Sequence, residues 1–99
     1  MPEVRLLGTA LRRAIGARVI AMPQRTLREL LAALSQRGDP DLTNRLYADP
    51  EAPEPRPDPD LRLLVNGRNA LFLDGLDTQL CETDIVTVHF AGARSFPGG

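Results

Sequence analysis

The chain has 99 residues, 42% of them hydrophobic and 25% charged, with a net charge of −1 at pH 7. That length builds one domain around one modest core and leaves little for a separate catalytic cleft. The charge lacks the excess of a nucleic-acid binder, no apolar run approaches the roughly 18 residues of a membrane span, and a single cysteine, Cys81, excludes an internal disulfide.

Met1-Pro2-Glu3-Val4-Arg5 lacks the basic-then-apolar layout of a secretory signal, and one thiol suits a reducing compartment, so a cytoplasmic protein is expected. Glu3 to Leu7 reads as a short strand closed by Gly8. Ala10 to Ile15 reads as a helical turn or an irregular connection ended by Gly16. Arg18 to Met22 reads as the second strand of an N-terminal hairpin, and Pro23 stops it.

Thr26-Leu27-Arg28-Glu29 is a capping box, with the Thr26 hydroxyl set to accept from the Glu29 N–H and the Glu29 carboxylate to reach back. Leu27, Leu30, Leu31 and Leu34 follow at i, i+3, i+4 and i+7. This helix must bury its leucine stripe, most simply across a sheet. Gly38 and then Asp39-Pro40 stop it. Asp41 to Tyr47 has weaker helical character, carried by Leu42 and Leu46. Residues 49–60 hold Pro50, Pro53, Pro55, Pro57 and Pro59, and read as an exposed, extended loop unable to pair.

Leu61 to Val65 reads as a strand, and Asn66-Gly67 as a hairpin turn. Asn69 to Leu73 returns as a short strand, Asp74-Gly75 turns, and Leu76 to Leu80 makes one helical turn. Ile85 to Phe90 is the last strand, with Val86, Val88 and Phe90 on one face and Thr87 and His89 on the other. The order is β-β-α-loop-β-β-β: an α+β protein with a mixed sheet of four to five strands on one main helix.

Taken together, Leu64-Val65-Asn66-Gly67-Arg68, Phe72-Leu73-Asp74-Gly75-Leu76-Asp77-Thr78-Gln79-Leu80, Asp84 before the final strand and the closing Gly98-Gly99 resemble a family of ubiquitin-like sulfur carriers. It comprises the molybdopterin synthase small subunits and thiamine-synthesis carriers, with related small modifiers. The resemblance implies a β-grasp fold over residues 1–92, including the proline-rich loop 49–60, and a flexible diglycine tail at 93–99. It further implies that the chain is no enzyme. By the same resemblance, an E1-like activating enzyme is expected to adenylate Gly99 with ATP, and a sulfur donor to convert the adenylate to a thiocarboxylate. The sulfur then passes to an acceptor enzyme in cofactor, tRNA or amino-acid biosynthesis. The alternative is a modifier joined through Gly99 to lysines of target proteins. An interaction module without terminal chemistry is the third reading. Two features depart from the typical carrier: the proline-rich insertion, and the segment Ala91 to Pro97 between the last strand and the diglycine.

The residues themselves fit terminal chemistry. A terminal carboxyl ionises near pH 3.5, so at pH 7 it is a poor electrophile and needs a leaving group such as AMP. Gly98 and Gly99 carry no Cβ and admit close approach in a narrow channel. Phe96-Pro97 stiffens the approach and offers an aromatic anchor. All 12 basic residues are arginine, so no lysine ε-amine is present to consume an activated terminus.

Ile20 and Leu64, read by alternation as facing away from the helix, form with Arg62 and Arg94 a candidate partner-docking surface. His89 has no companion for a metal or catalytic site. Cys81, beside Glu82, lacks the electropositive setting of a reactive thiol. Asp74, Asp77 and Asp84 match no calcium loop. No metal and no tightly bound cofactor are expected, and no nucleic-acid or membrane partner.

Overall fold

A computed structural model describes residues 1–38, 40–49, 51–53 and 56–90. The elements in chain order are β1 (Glu3–Leu6), α1 (Thr9–Ile15), β2 (Val19–Ala21), α2 (Leu27–Arg37), α3 (Pro40–Leu46), β3 (Leu61–Val65), β4 (Arg68–Asn69) and β5 (Ile85–Phe90). Two 3₁₀ turns, Ala70–Phe72 and Gly75–Asp77, lie between β4 and β5. The sheet order is β2-β1-β5-β3-β4, with β1 and β5 parallel and the other pairs antiparallel. The last strand therefore lies in the middle, bonded on both sides.

The two faces follow from register. Val4 stands opposite Val86, Leu6 opposite Val88, and Val88 opposite Leu63; all five are buried and lie on the inner face. Across it α2 lays Leu27, Leu30, Leu31 and Leu34, each fully buried. Burying one such leucine contributes about 1.5–3 kcal/mol, so this stripe is a large part of the core's cohesion. The Glu29 N–H donates to Thr26 Oγ1 at 3.2 Å as the capping box requires, but the Glu29 carboxylate accepts the Thr26 hydroxyl instead of its N–H. The backbone on either side of Thr26 is drawn into a bridge with Gln79, through Leu27 N–H to Thr78 O and Leu80 N–H to Arg25 O.

Several segments are more ordered than the sequence suggests. Thr9–Ile15 is a true helix: Gly16 takes φ 85° and returns its N–H to Arg12 O at 2.7 Å, a left-handed cap that only glycine adopts cheaply. The weak Asp41–Tyr47 pattern is also a helix, and Leu42 and Leu46 are wholly buried. The two leucines lie one turn apart, so a single edge of α3 completes the core. Gly38 is not a left-handed cap; it is extended, at φ −89° and ψ −169°. Its role is space, because a Cβ there would run into Leu42 and lie 3.1 Å from Ala14 O.

The proline-rich loop is not wholly unpaired. Tyr47 and Pro57 form an antiparallel bridge, closed by Ala48 N–H to Arg56 O at 2.9 Å and Asp58 N–H to Leu46 O at 2.8 Å. Both bonds are made by the neighbours of Pro57, so its missing N–H costs nothing. The expected strand over Asn69–Leu73 stops at Asn69, whose side chain accepts the Leu71 N–H at 2.9 Å and caps a 3₁₀ turn. A local Asn-to-backbone bond outcompetes the ladder here. The resulting single helix-backed mixed sheet is the β-grasp architecture.

Candidate functional site

The inner face is filled, so the presentable surface is the outer face of the sheet and the end from which β5 departs. Register assembles that outer face in rows. Ala21, Glu3 and Ile85 lie side by side; Val19, Arg5, Thr87, Leu64 and Asn69 form the next row; His89 and Arg62 pair beyond them. Val19 is 50% exposed, and Leu64, Ile85 and Arg62 are half-buried. Arg5 pairs with Glu3 at 2.6 Å, an exposed contact that contributes little to stability but fixes the guanidinium over the sheet. The Arg62 guanidinium donates to Pro59 O at 2.6 Å, which ties this face to the proline-rich loop. The result is an apolar strip flanked by arginines, with Glu3 as the one acid among these residues.

Two of the four expected docking residues, Leu64 and Arg62, stand on this face. Ile20 does not. It pairs directly with Val4, which is fully buried, and packs against the core on the helix side. Alternation in a three-residue strand leaves the choice of face open; pairing with β1 decides it. Val19 takes the place expected of Ile20, joined by Ile85 and Arg5. The signal was present in Met22, two residues beyond Ile20 and 1% exposed, because i and i+2 share a face. Arg94, Phe96, Pro97, Gly98 and Gly99 lie outside the described residues, as does the domain boundary expected at residue 92.

The motif residues around Asn66 have a structural role. Asn66 takes φ 53° and Gly67 φ 85°, the pair of positive values that a tight hairpin turn requires. The Asn66 side chain then acts as an extra rung of sheet. Its Oδ1 accepts the Ile85 N–H at 2.9 Å, while its own N–H donates to Ile85 O at 2.8 Å. Asn66 Nδ2 donates to Asp84 Oδ1 at 2.9 Å, and the other Asp84 oxygen accepts the Cys81 N–H at 2.8 Å. The knot sets where β5 begins.

Among the described residues, no group of three or more His, Cys, Asp and Glu side chains is placed to hold a metal ion. Cys81 is exposed in the loop before β5, and His89 lies near the other end of that strand. Tyr47 is 9% exposed, and burial raises its phenol above the usual 10.0, partly offset by the positive charge of Arg28. Within the described residues no helix is long and apolar enough to cross a membrane.

Fold and surface together define a small domain whose central strand is β5, with a partly apolar outer sheet face. Solved structures carry the same fold. Small archaeal modifier protein 1 from Methanosarcina acetivorans superposes with a TM-score of 0.80 at 23% identity, over 99% of this chain and 95% of that one. Mycobacterium tuberculosis CysO, an antigen, gives 0.74 at 25% identity, over 92% and 99%. The Haloferax volcanii HVO 2177 protein gives 0.69 at 30% identity, over 99% and 85%. CysO in the Amycolatopsis orientalis BexX/CysO complex shares the fold at 21% identity and TM-score 0.73, over 92% and 96%. No family model and no curated protein matches by sequence. The chain belongs to the ubiquitin-like sulfur-carrier family, which includes small modifiers.

Proposed function

We propose that this chain is a sulfur carrier whose working group is the carboxyl of Gly99. A separate E1-like enzyme binds the outer face through Val19, Leu64, Arg5 and Arg62 and receives the tail, residues 91–99. A Gly99 carboxylate oxygen attacks the α-phosphorus of ATP, and pyrophosphate leaves. Hydrosulfide from the sulfur donor then attacks the acyl carbon, AMP leaves, a proton is lost, and the product is a thiocarboxylate. The domain supplies no acid or base to these steps. It supplies an acyl group without side-chain bulk and a surface by which the activating enzyme knows it.

The observation that carries this reading is the position of β5. A strand bonded on both sides anchors the tail root firmly, and the sequence beyond it ends in Gly98-Gly99. The likeness to CysO, including CysO in complex with BexX, supports a carrier that works through a partner protein.

The likeness to small archaeal modifier protein 1 favours a second outcome of the same adenylate, which the absence of lysine permits. A target lysine attacks in place of sulfur and forms an isopeptide bond. A lysine-free chain offers no ε-amine to a second copy, so chains can grow only through the Met1 amine or not at all.

Intact-mass spectrometry after incubation with ATP, the E1-like enzyme of the same genome and a sulfur donor tests the reading. The expected result is a mass gain equal to exchange of one oxygen for sulfur, lost in a variant lacking Gly99. An unchanged mass in the presence of an enzyme that activates its other carriers rejects it. Conjugates recovered from the native host, bearing Gly98-Gly99 on target lysines, mark the modifier outcome.

A further inference from the structure

A groove of about 280 Å³ lies between the proline-rich loop and the two 3₁₀ turns. Its walls are Pro57, Pro59, Leu61, Leu63, Leu71 and Leu76, with Arg56, Asp58 and Arg62 at the rim. Beside it Leu71 and Phe72 are 77% and 85% exposed, the most exposed large apolar side chains among the described residues. Apolar surface of this kind, contiguous and next to a concavity, calls for an occupant.

We propose that the occupant is this chain's own tail, with Phe96 as its anchor. The first argument is position. Phe90, the last residue of β5, stands directly opposite Leu61, which lines the groove. The tail therefore starts at the margin of the groove. Phe96 is six residues on, which at about 3.3 Å each gives a reach of roughly 20 Å.

The second argument is backbone chemistry. The chain before β3 turns away, with the Leu61 N–H donating to Asp58 O at 2.9 Å, and Pro57 and Pro59 have no N–H to donate. No ladder continues past Leu61, so side chains must hold the tail. The third is complementarity. Arg94 is the sole charged side chain of residues 91–99, and Asp58 and Asp60 stand at the exit, with Asp58 Oδ1 accepting the Asp60 N–H at 2.8 Å. In an extended segment Arg94 and Phe96 point the same way, so the cation can reach the carboxylates while the ring enters the groove. The two features that set this chain apart from a typical carrier, the insertion and the long tail, thus meet at one place. Docking there parks Gly98-Gly99 against the domain, and an activating enzyme must first displace Phe96.

NMR of the full-length chain tests this without any partner, so its outcome is separate from that of the activation experiment. Expected are nuclear Overhauser contacts from the Phe96 ring to the methyls of Leu61, Leu71 and Leu76, unchanged on dilution. Phe96→Ala then shifts the signals of residues 56–63 and 70–76 and increases the fast motion of Gly98 and Gly99. Leu71→Asp, at a position exposed enough to leave the fold intact, produces the same release of the tail. Absence of the contacts, with changes in the Phe96→Ala spectrum confined to residues 91–99, overturns the proposal. Contacts that vanish on dilution overturn it too, because the groove then holds the tail of a second copy.

Discussion

The Asn66–Asp84 knot makes a quantitative prediction. Asn66→Gly keeps the positive φ of 53° available but deletes two side-chain hydrogen bonds, to Ile85 N and from Nδ2 to Asp84. Each net hydrogen bond contributes about 0.5–1.5 kcal/mol, and these are exposed, so a loss of about 1–2 kcal/mol is expected. Asn66→Ala loses the same bonds and must also hold a left-handed backbone, which adds about 1 kcal/mol. Asp84→Ala removes the bond to Asn66 and the one to Cys81 N–H, again about 1–2 kcal/mol. Because Asn66 and Asp84 share a bond, the Asn66→Gly/Asp84→Ala double variant should fall short of the sum by roughly 1 kcal/mol. Urea unfolding followed by circular dichroism gives all four values, and each kcal/mol should lower Tm by about 4–8 °C in a domain this size. The reasoning fails if Asn66→Ala is as stable as Asn66→Gly and the two deletions add exactly.

Three further outcomes follow from single sites. Gly38→Ala places a methyl against the buried Leu42 and the Ala14 carbonyl, so overpacking should cost about 1–3 kcal/mol by the same unfolding assay; a neutral result would show that the α2–α3 junction yields. The Tyr47 phenol is held above 10.0 in the folded protein, so its contribution to stability is complete below pH ~10 and is lost as pH rises through the folded value. Tyr47→Phe should therefore flatten the alkaline fall in stability, and since Tyr47 is the only tyrosine and tryptophan is absent, ultraviolet titration of the native protein reads the raised value directly. Val19→Asp, at a half-exposed position on the outer face, should change stability by only about 0.5 kcal/mol. It should weaken binding to the activating enzyme ~10-fold or more by calorimetry, and an unchanged Kd would remove the outer face from the docking model.

Much of this molecule was determined by its sequence alone. The capping box and the leucine stripe specify α2 because both signals are local and reinforce each other. The Val86/Val88/Phe90 alternation specifies which face of β5 is inside. Asn66-Gly67 specifies a turn, because few other residue pairs tolerate two positive φ values. The Gly98-Gly99 pair, on which the proposed function rests, is legible in the sequence with no structure at all. Tertiary structure decided what rests on long-range pairing. The side taken by Ile20 followed from its register with Val4, since three residues of alternation fit either face. The helicity of Pro40–Leu46 came from the burial of Leu42 and Leu46, which weak local propensity does not foretell. The Ile85–Asn66 rung and the groove beside Leu61 join residues distant in sequence, and only the fold closes that distance, because contacts across a sheet are fixed by strand order rather than by local preference.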